Sequence, residues 1–138
     1  MVKVGDFEVA KDLYYSKDWM WVKIEDSKVR IGITDYAQRQ LREIVFAELP
    51  SVGDQIMKGE AFGTVESVKS VSDLVAPVSG KIEETNKKVS ASPEILNKDP
   101  YGEGWILLVS PTGLENELKT LMNFERAVEW HKELVKEG

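Results

Sequence analysis

Gly63-Thr-Val-Glu-Ser-Val-Lys-Ser-Val-Ser-Asp73 is the stretch on which the reading of the chain turns. Strand-like runs lie on both sides, Gly59-Glu-Ala-Phe-Gly-Thr-Val65 before and Leu74-Val-Ala-Pro-Val-Ser-Gly80 after. Small and polar residues fill the middle, which predicts a tight hairpin with its tip near 66–72 and Lys69 at the apex. Thr64-Val65 and Val71-Ser72 flank the tip almost symmetrically. Gly53, Gly59 and Gly63 punctuate the approach, and Pro77 and Gly80 the departure.

Outward from the hairpin the pattern stays mostly β. Trp19 to Ile24 is rich in aromatic and β-branched residues, and Lys28 to Ile33 alternates, with Val29, Ile31 and Ile33 on one face. Turn chemistry at Glu25-Asp-Ser-Lys28 joins them into a hairpin. From Thr34 the period changes. Ala37, Leu41 and Ile44 recur at helical spacing, and Asp35 with Gln38 resembles a capping box. Extended structure resumes at Val45-Leu49 and ends at Pro50. Ser92 and Pro93 suit the cap and first position of one helical turn. Trp105-Val109 reads as a final buried strand. Leu114-Met122 and a helix capped by Asn123 make a C-terminal helical region at about 112–136. The apolar stripe of the last helix is Phe124, Ala127, Val128, Leu134 and Val135. Many short strands with regular turns suggest a sandwich or barrel, as a single domain over 1–138.

Composition narrows the function. There are no cysteines, which excludes disulfides, thiolate metal sites and a cysteine nucleophile. The net charge is −6 with no Lys/Arg block, so no nucleic-acid partner is expected. No apolar run is long enough for a membrane span, and the N-terminus has no signal-type stretch. A cytoplasmic protein is expected, or a mature organellar one.

The other candidate sites are weak. His131 is the only histidine, near the apolar stripe, and reads as a packed helical residue without partners for a metal or a triad. Gly102-Glu-Gly104 lacks the third glycine and the following helix of a phosphate loop. Glu83-Glu84 and Glu115/Glu117 read as solvated surface charge. Trp19, Trp21, Trp105 and Trp130 suit a core or an interface. A displayed amine on a rigid base, with no acid/base pair, is the profile of a carrier acylated by another enzyme.

Several runs carry a close resemblance to a known family. They are Ile31-Gly-Ile-Thr-Asp35 with Ala37-Gln38, Ile44-Val-Phe-Ala-Glu-Leu-Pro50, Gly63-Thr-Val-Glu-Ser-Val-Lys-Ser70, Ala76-Pro-Val-Ser-Gly80, Pro93-Glu-Ile-Leu-Asn97 and Asp99-Pro-Tyr-Gly-Glu-Gly-Trp105. The chain resembles the H proteins of the glycine cleavage system from about Tyr15 to Val109 and loosely beyond. Biotin carriers usually place methionine on both sides of the lysine, where this chain has Val68 and Ser70.

The resemblance implies a lipoyl/biotinyl-type barrel-sandwich hybrid, without its own catalytic or metal site, as a monomer. It implies lipoic acid attached at Lys69, with Glu66, Ser67 and Gly80 recognised by a lipoyl ligase or transferase. The implied partners are the pyridoxal-phosphate glycine decarboxylase (P protein), the tetrahydrofolate-dependent aminomethyltransferase (T protein) and the flavin dihydrolipoyl dehydrogenase (L protein). Tethering would raise the arm's effective concentration at each partner.

Two departures bear on the cargo. Trp19-Met20-Trp21 stands where the family usually has His-Glu-Trp, and Arg42 where it often has glycine. Tyr36 falls within the family's usage. Trp19, Met20 and Tyr36 are therefore the candidate cleft residues for the arm. Met20 offers no carboxylate to a cationic aminomethyl group, while Trp19 or Tyr36 could offer a ring face. Besides the aminomethyl carrier, two readings stay open. One is an H-like protein carrying sulfur intermediates beside heterodisulfide-reductase-like partners, the other a lipoyl-relay paralogue.

Overall fold

A computed structural model describes residues 1–137. The first elements are a small hairpin of β1 (Val2–Val4) and β2 (Phe7–Val9). Then come β3 (Tyr14–Tyr15), β4 (Met20–Glu25), β5 (Lys28–Ile33), α1 (Asp35–Leu41) and β6 (Ile44–Glu48). They are followed by β7 (Gln55–Ile56), β8 (Ala61–Ser67), β9 (Val71–Val75), β10 (Gly80–Thr85), α2 (Lys87–Ala91) and α3 (Ile95–Lys98). The chain finishes with β11 (Leu107–Pro111), α4 (Leu114–Leu118) and α5 (Phe124–Glu137).

The fold is mostly β and antiparallel. A six-stranded sheet runs β3-β4-β5-β11-β10-β7, and a three-stranded sheet runs β6-β8-β9. The alternation of β5 is realised: Val29, Ile31 and Ile33 are buried while Lys28 and Arg30 are half-buried. They join a core between the two sheets with Val65, Leu74, Val78, Ile82 and Val109. Each such aliphatic side chain contributes about 1.5–3 kcal/mol when fully buried. A second apolar cluster gathers Val9, Tyr15, Trp21, Met122 and Ala127 under α5.

Several elements differ from the expectations, for local reasons. The N-cap of α1 is Thr34, whose hydroxyl accepts from the Ala37 amide at 3.2 Å. Asp35 is instead a buried hub inside the helix. Its carboxylate accepts from Gln38 Nε2, Arg39 Nε and the Glu8 amide, at 2.8, 2.9 and 2.8 Å. The last strand starts at Leu107, two residues late, because the Trp105 carbonyl is taken by the Asn86 side chain at 2.6 Å. The Asn86 side chain also caps α2, a helix the sequence reading missed. Ser92 ends α2, and its carbonyl, not its hydroxyl, accepts from Ile95. Helix α4 stops at Leu118, short of Met122. Asn123 does cap α5, its side chain accepting from the Arg126 amide at 3.0 Å.

Two of the acidic residues read as solvated are engaged. Glu117 accepts from both the amide and the hydroxyl of Ser79, each at 2.7 Å. Glu83 accepts from the Ser110 hydroxyl at 3.0 Å and faces Lys28, and these contacts hold its carboxyl below the usual range.

Candidate functional site

Lys69 stands at the tip of the β8–β9 hairpin, exposed to solvent. The tip is built by one side chain. Ser67 Oγ accepts from the amides of Lys69 and Ser70 at 3.2 and 3.0 Å, and the Ser67 amide donates to the Ser70 carbonyl at 2.8 Å. This is the local turn a serine hydroxyl can make with the backbone two and three residues on. A further bond from the Val68 amide to the Glu43 carbonyl, 3.1 Å, ties the tip to the entry of β6. Among the described residues no ion pair engages the Lys69 amine. The amine stands in solvent while the backbone beneath it is held.

The two other recognition candidates sit differently. Glu66 lies opposite Phe46 of β6 and Val71 of β9, and is half-buried on the outer face of the small sheet. Gly80 is buried where β10 leaves the corner after Pro77. A Cβ there would lie 2.6 Å from Val109 Cγ1 and 2.9 Å from Pro111 Cα, so the close approach of β10 to β11 requires glycine. Its contribution is to the base of the hairpin rather than to an exposed surface.

A cavity of about 340 Å³ opens beside the hairpin, between β9, α1 and the turn before β4. That size falls in the small-molecule range of about 300–1,000 Å³. The three cleft candidates Trp19, Met20 and Tyr36 all line it, with Leu41, Val65 and Ser72. Ser72 and Asp73 lie three and four residues past Lys69 across the turn, at most about 10–13 Å away even for a fully extended chain. An acylated lysine can fold back over that distance.

Trp19 adopts φ 72°, an uncommon backbone conformation for a bulky side chain. Such strain costs about 1–3 kcal/mol and persists where the surroundings over-determine it. Here the Trp19 amide donates to the Ser16 carbonyl at 3.2 Å and its carbonyl accepts from Thr34 at 2.9 Å. Its indole is stacked on Tyr36 at 4.5 Å and on Trp130 at 4.8 Å. Tyr36 in turn meets Phe7 at 4.6 Å. The ring faces a cation would need are covered by other rings, which leaves Trp19 and Tyr36 as edges of the cavity rather than cation–π partners.

Acidic residues that the sequence reading did not single out border the cavity, with the β9 register turning the Asp73 side chain to the outer face of the small sheet. Asp18 and Asp73 both line it. Asp18 immediately precedes Trp19-Met20, and Asp73 follows Lys69 by four, but only the folded chain brings positions 18, 36 and 73 together. Asn97 supports the α1 wall. Its side chain accepts from the Ile44 amide at 2.9 Å and donates to Gln38 and to the Arg42 carbonyl, at 2.9 and 2.7 Å. Arg42 takes φ 71° and ψ −150° at the end of α1, a conformation that side chains rarely adopt and glycine reaches freely.

The phosphate-loop reading of Gly102-Glu-Gly104 fails for a physical reason as well. The Glu103 amide is taken by the Asp99 carboxylate at 2.9 Å and the Gly104 amide by the Asp99 carbonyl at 2.8 Å. His131 is fully buried, with Nδ1 donating to the Ala127 carbonyl at 2.7 Å. Burial pushes its pKa down.

A barrel-sandwich of short antiparallel strands that displays one lysine on a hairpin beside a cleft defines a lipoyl-type carrier module. Residues 13–134 match the family model described as Glycine cleavage H-protein. A probable glycine cleavage system H protein of Pyrococcus abyssi is 49% identical over 135 residues, 97% of this chain and 100% of that protein. The glycine cleavage system H protein of Carboxydothermus hydrogenoformans is 50% identical over 130 residues, 94% of this chain and 97% of that one. The crystal structure of a glycine cleavage system H protein from Mycobacterium marinum superposes with a TM-score of 0.78 at 39% identity, covering 86% of this chain and 94% of that one. The chain belongs to the glycine cleavage H-protein family.

Proposed function

We propose that Lys69 bears lipoic acid in amide linkage and that the chain carries the aminomethyl group of glycine between enzymes, without catalysing a reaction itself. The partners in this reading are the pyridoxal-phosphate glycine decarboxylase, the tetrahydrofolate-dependent aminomethyltransferase and the dihydrolipoyl dehydrogenase. The lipoyl group, when bound, supplies a disulfide that accepts the aminomethyl group on one sulfur and leaves the other as a thiol. A lipoyl ligase or transferase attaches it, reading Glu66 and Ser67 at the tip, with Gly80 setting the base on which the tip stands. No helix among the described residues is long and apolar enough to cross a membrane.

The observation that carries the reading is the pairing of an exposed amine with a largely apolar cavity, bordered by Asp18, a few residues along the same hairpin. An aminomethyl nitrogen is cationic near neutral pH, and a carboxylate beside it favours that form. Asp18 supplies a carboxylate at the rim where Met20 does not. The buried Met20, Val65 and Leu74 give the apolar floor that suits a hydrocarbon arm. A carboxylate at the rim would disfavour an anionic sulfur cargo, so the sulfur carrier is the weaker reading.

The test is glycine-dependent carbon dioxide exchange with the decarboxylase, using chain loaded with lipoate to completion. Exchange is expected, and Asp18→Asn should weaken retention of the loaded arm. A fully lipoylated sample that supports no exchange would overturn the reading.

A further inference from the structure

We infer that Phe46, Val68 and Val71, which ring Glu66 at the tip of the small sheet, form the docking collar for the enzyme that acylates Lys69. The inference rests on the lipoyl reading above. The register of the sheet sets the geometry. Phe46 pairs with Glu66 and Glu66 with Val71, so the three side chains stand in one row on one face. Val68 follows in the turn beyond β8, next to Lys69 in sequence, with its amide bonded to the Glu43 carbonyl. Phe46 is 48% exposed, Val71 64% and Val68 70%. The inward positions of the same strands, Ala47, Val65 and Leu74, are buried in the core, so the exposed row is not part of the fold's own packing. Adjacent apolar side chains left in water around one anchored tip mark a surface made to be covered.

The reach of lysine selects the occupant. An unmodified lysine stem is short, so an enzyme that acylates it must bring its active-site mouth down over the hairpin tip and bury what surrounds it. Enzymes that act on the far end of a finished arm can stand further off. In the acylation step the deprotonated amine attacks the carbonyl carbon of an enzyme-bound acyl-adenylate. The C–N bond forms, the C–O bond to AMP breaks, AMP leaves with the electron pair, and the amine's proton passes to solvent. No oxidant or reductant is needed. The next row of the same face carries Glu48 and Asp73 around Thr64, by the same register. The complementary mouth is therefore an apolar depression with a basic side chain opposite Glu66 and a basic rim.

The test compares acylation of the unmodified chain and of a Phe46→Ser/Val71→Thr variant by a lipoate–protein ligase with lipoate and ATP, read by intact mass against time. The variant should be acylated at least about tenfold more slowly, as expected for anchor side chains at the centre of an interface. Val68→Ser should slow it in the same direction. The melting temperature and the labelling of Lys69 by a small N-hydroxysuccinimide ester should be unchanged, because neither reads docking. Val52→Ser/Met57→Ser, at exposed apolar positions outside this face (61% and 54%), should be acylated at the rate of the unaltered chain. Equal rates for the collar variants and the unaltered chain would overturn the inference alone. An unaltered chain that accepts no lipoate would overturn the lipoyl reading with it. Normal acylation with impaired glycine-dependent exchange would assign the face to another partner and also overturn the inference.

Discussion

The Lys69 hairpin and the aromatic layer under α5 hold their side chains by opposite means. At the hairpin, one serine hydroxyl and a single backbone bond to Glu43 fix the tip, and the side chains around it are in water. In the aromatic layer, Tyr15, Trp21 and His131 are fully buried, and Trp19 is stacked on two rings. Tyr15 donates its hydroxyl to the Ala10 carbonyl at 2.6 Å, and burial pushes its pKa well up. Trp21 donates to the Pro100 carbonyl at 2.9 Å. The difference shows where each task is placed. The aromatic layer is packed throughout and braces one wall of the cavity, while the hairpin gives only its inward side chains, Val65 and Leu74, to the core and leaves its tip free to be covered by partners.

That contrast breaks first if the aromatic layer can be emptied cheaply. Trp21→Ala should cost about 3–5 kcal/mol, measured by denaturant unfolding, because a fully buried indole leaves a cavity and an orphaned carbonyl. A loss below 1 kcal/mol would show that the layer does not carry the stability assigned to it. Asp35→Ala should cost about 1.5–3 kcal/mol by the same measurement, since three donors lose their acceptor.

His131 sharpens the comparison through pH. Its ordinary pKa is 6.5, and burial lowers it in the folded chain. Above that value both states are neutral at this residue. Below it the unfolded chain takes up a proton that the folded chain resists, so stability falls as pH drops through the window beneath 6.5. Among the described residues Nε2 has no hydrogen-bond partner, and Asp35 is the carboxylate that eases the charge. His131→Phe should flatten the pH dependence of unfolding in that window relative to the unaltered chain. An unchanged slope would contradict the burial argument.

The smallest effect belongs to the tip. Ser67→Ala should cost under about 1 kcal/mol globally, because its bonds lie in solvent. Hydrogen exchange at the Lys69 and Ser70 amides should nevertheless quicken. Loss of global stability comparable to that of the Trp21 variant would erase the contrast between the two regions.

The sequence was most readable where structure is local. The β8–β9 hairpin and the β4–β5 pair rest on alternation and turn residues within a few positions, and both formed as expected. The helix cap moved by one because Thr34 and Asp35 are both good caps, and the tertiary demand of the Glu8 amide on Asp35 decided between them. The β1–β2 hairpin was missed because three-residue strands leave too short a pattern to detect. The cleft was half visible. Trp19, Met20 and Tyr36 were named through family resemblance, but Asp18 and Asp73 acquire meaning only when the turn before β4 meets β9 in space.

The central claim is that one amine, Lys69, was built to be acylated. Peptide mass mapping of the chain after lipoylation, beside a Lys69→Arg variant, tests it most directly. A single lipoyl group is expected on the peptide containing Lys69, none on the variant, with variant stability within about 0.5 kcal/mol of the unaltered chain. A lipoyl group on another lysine, or on the variant, would contradict it.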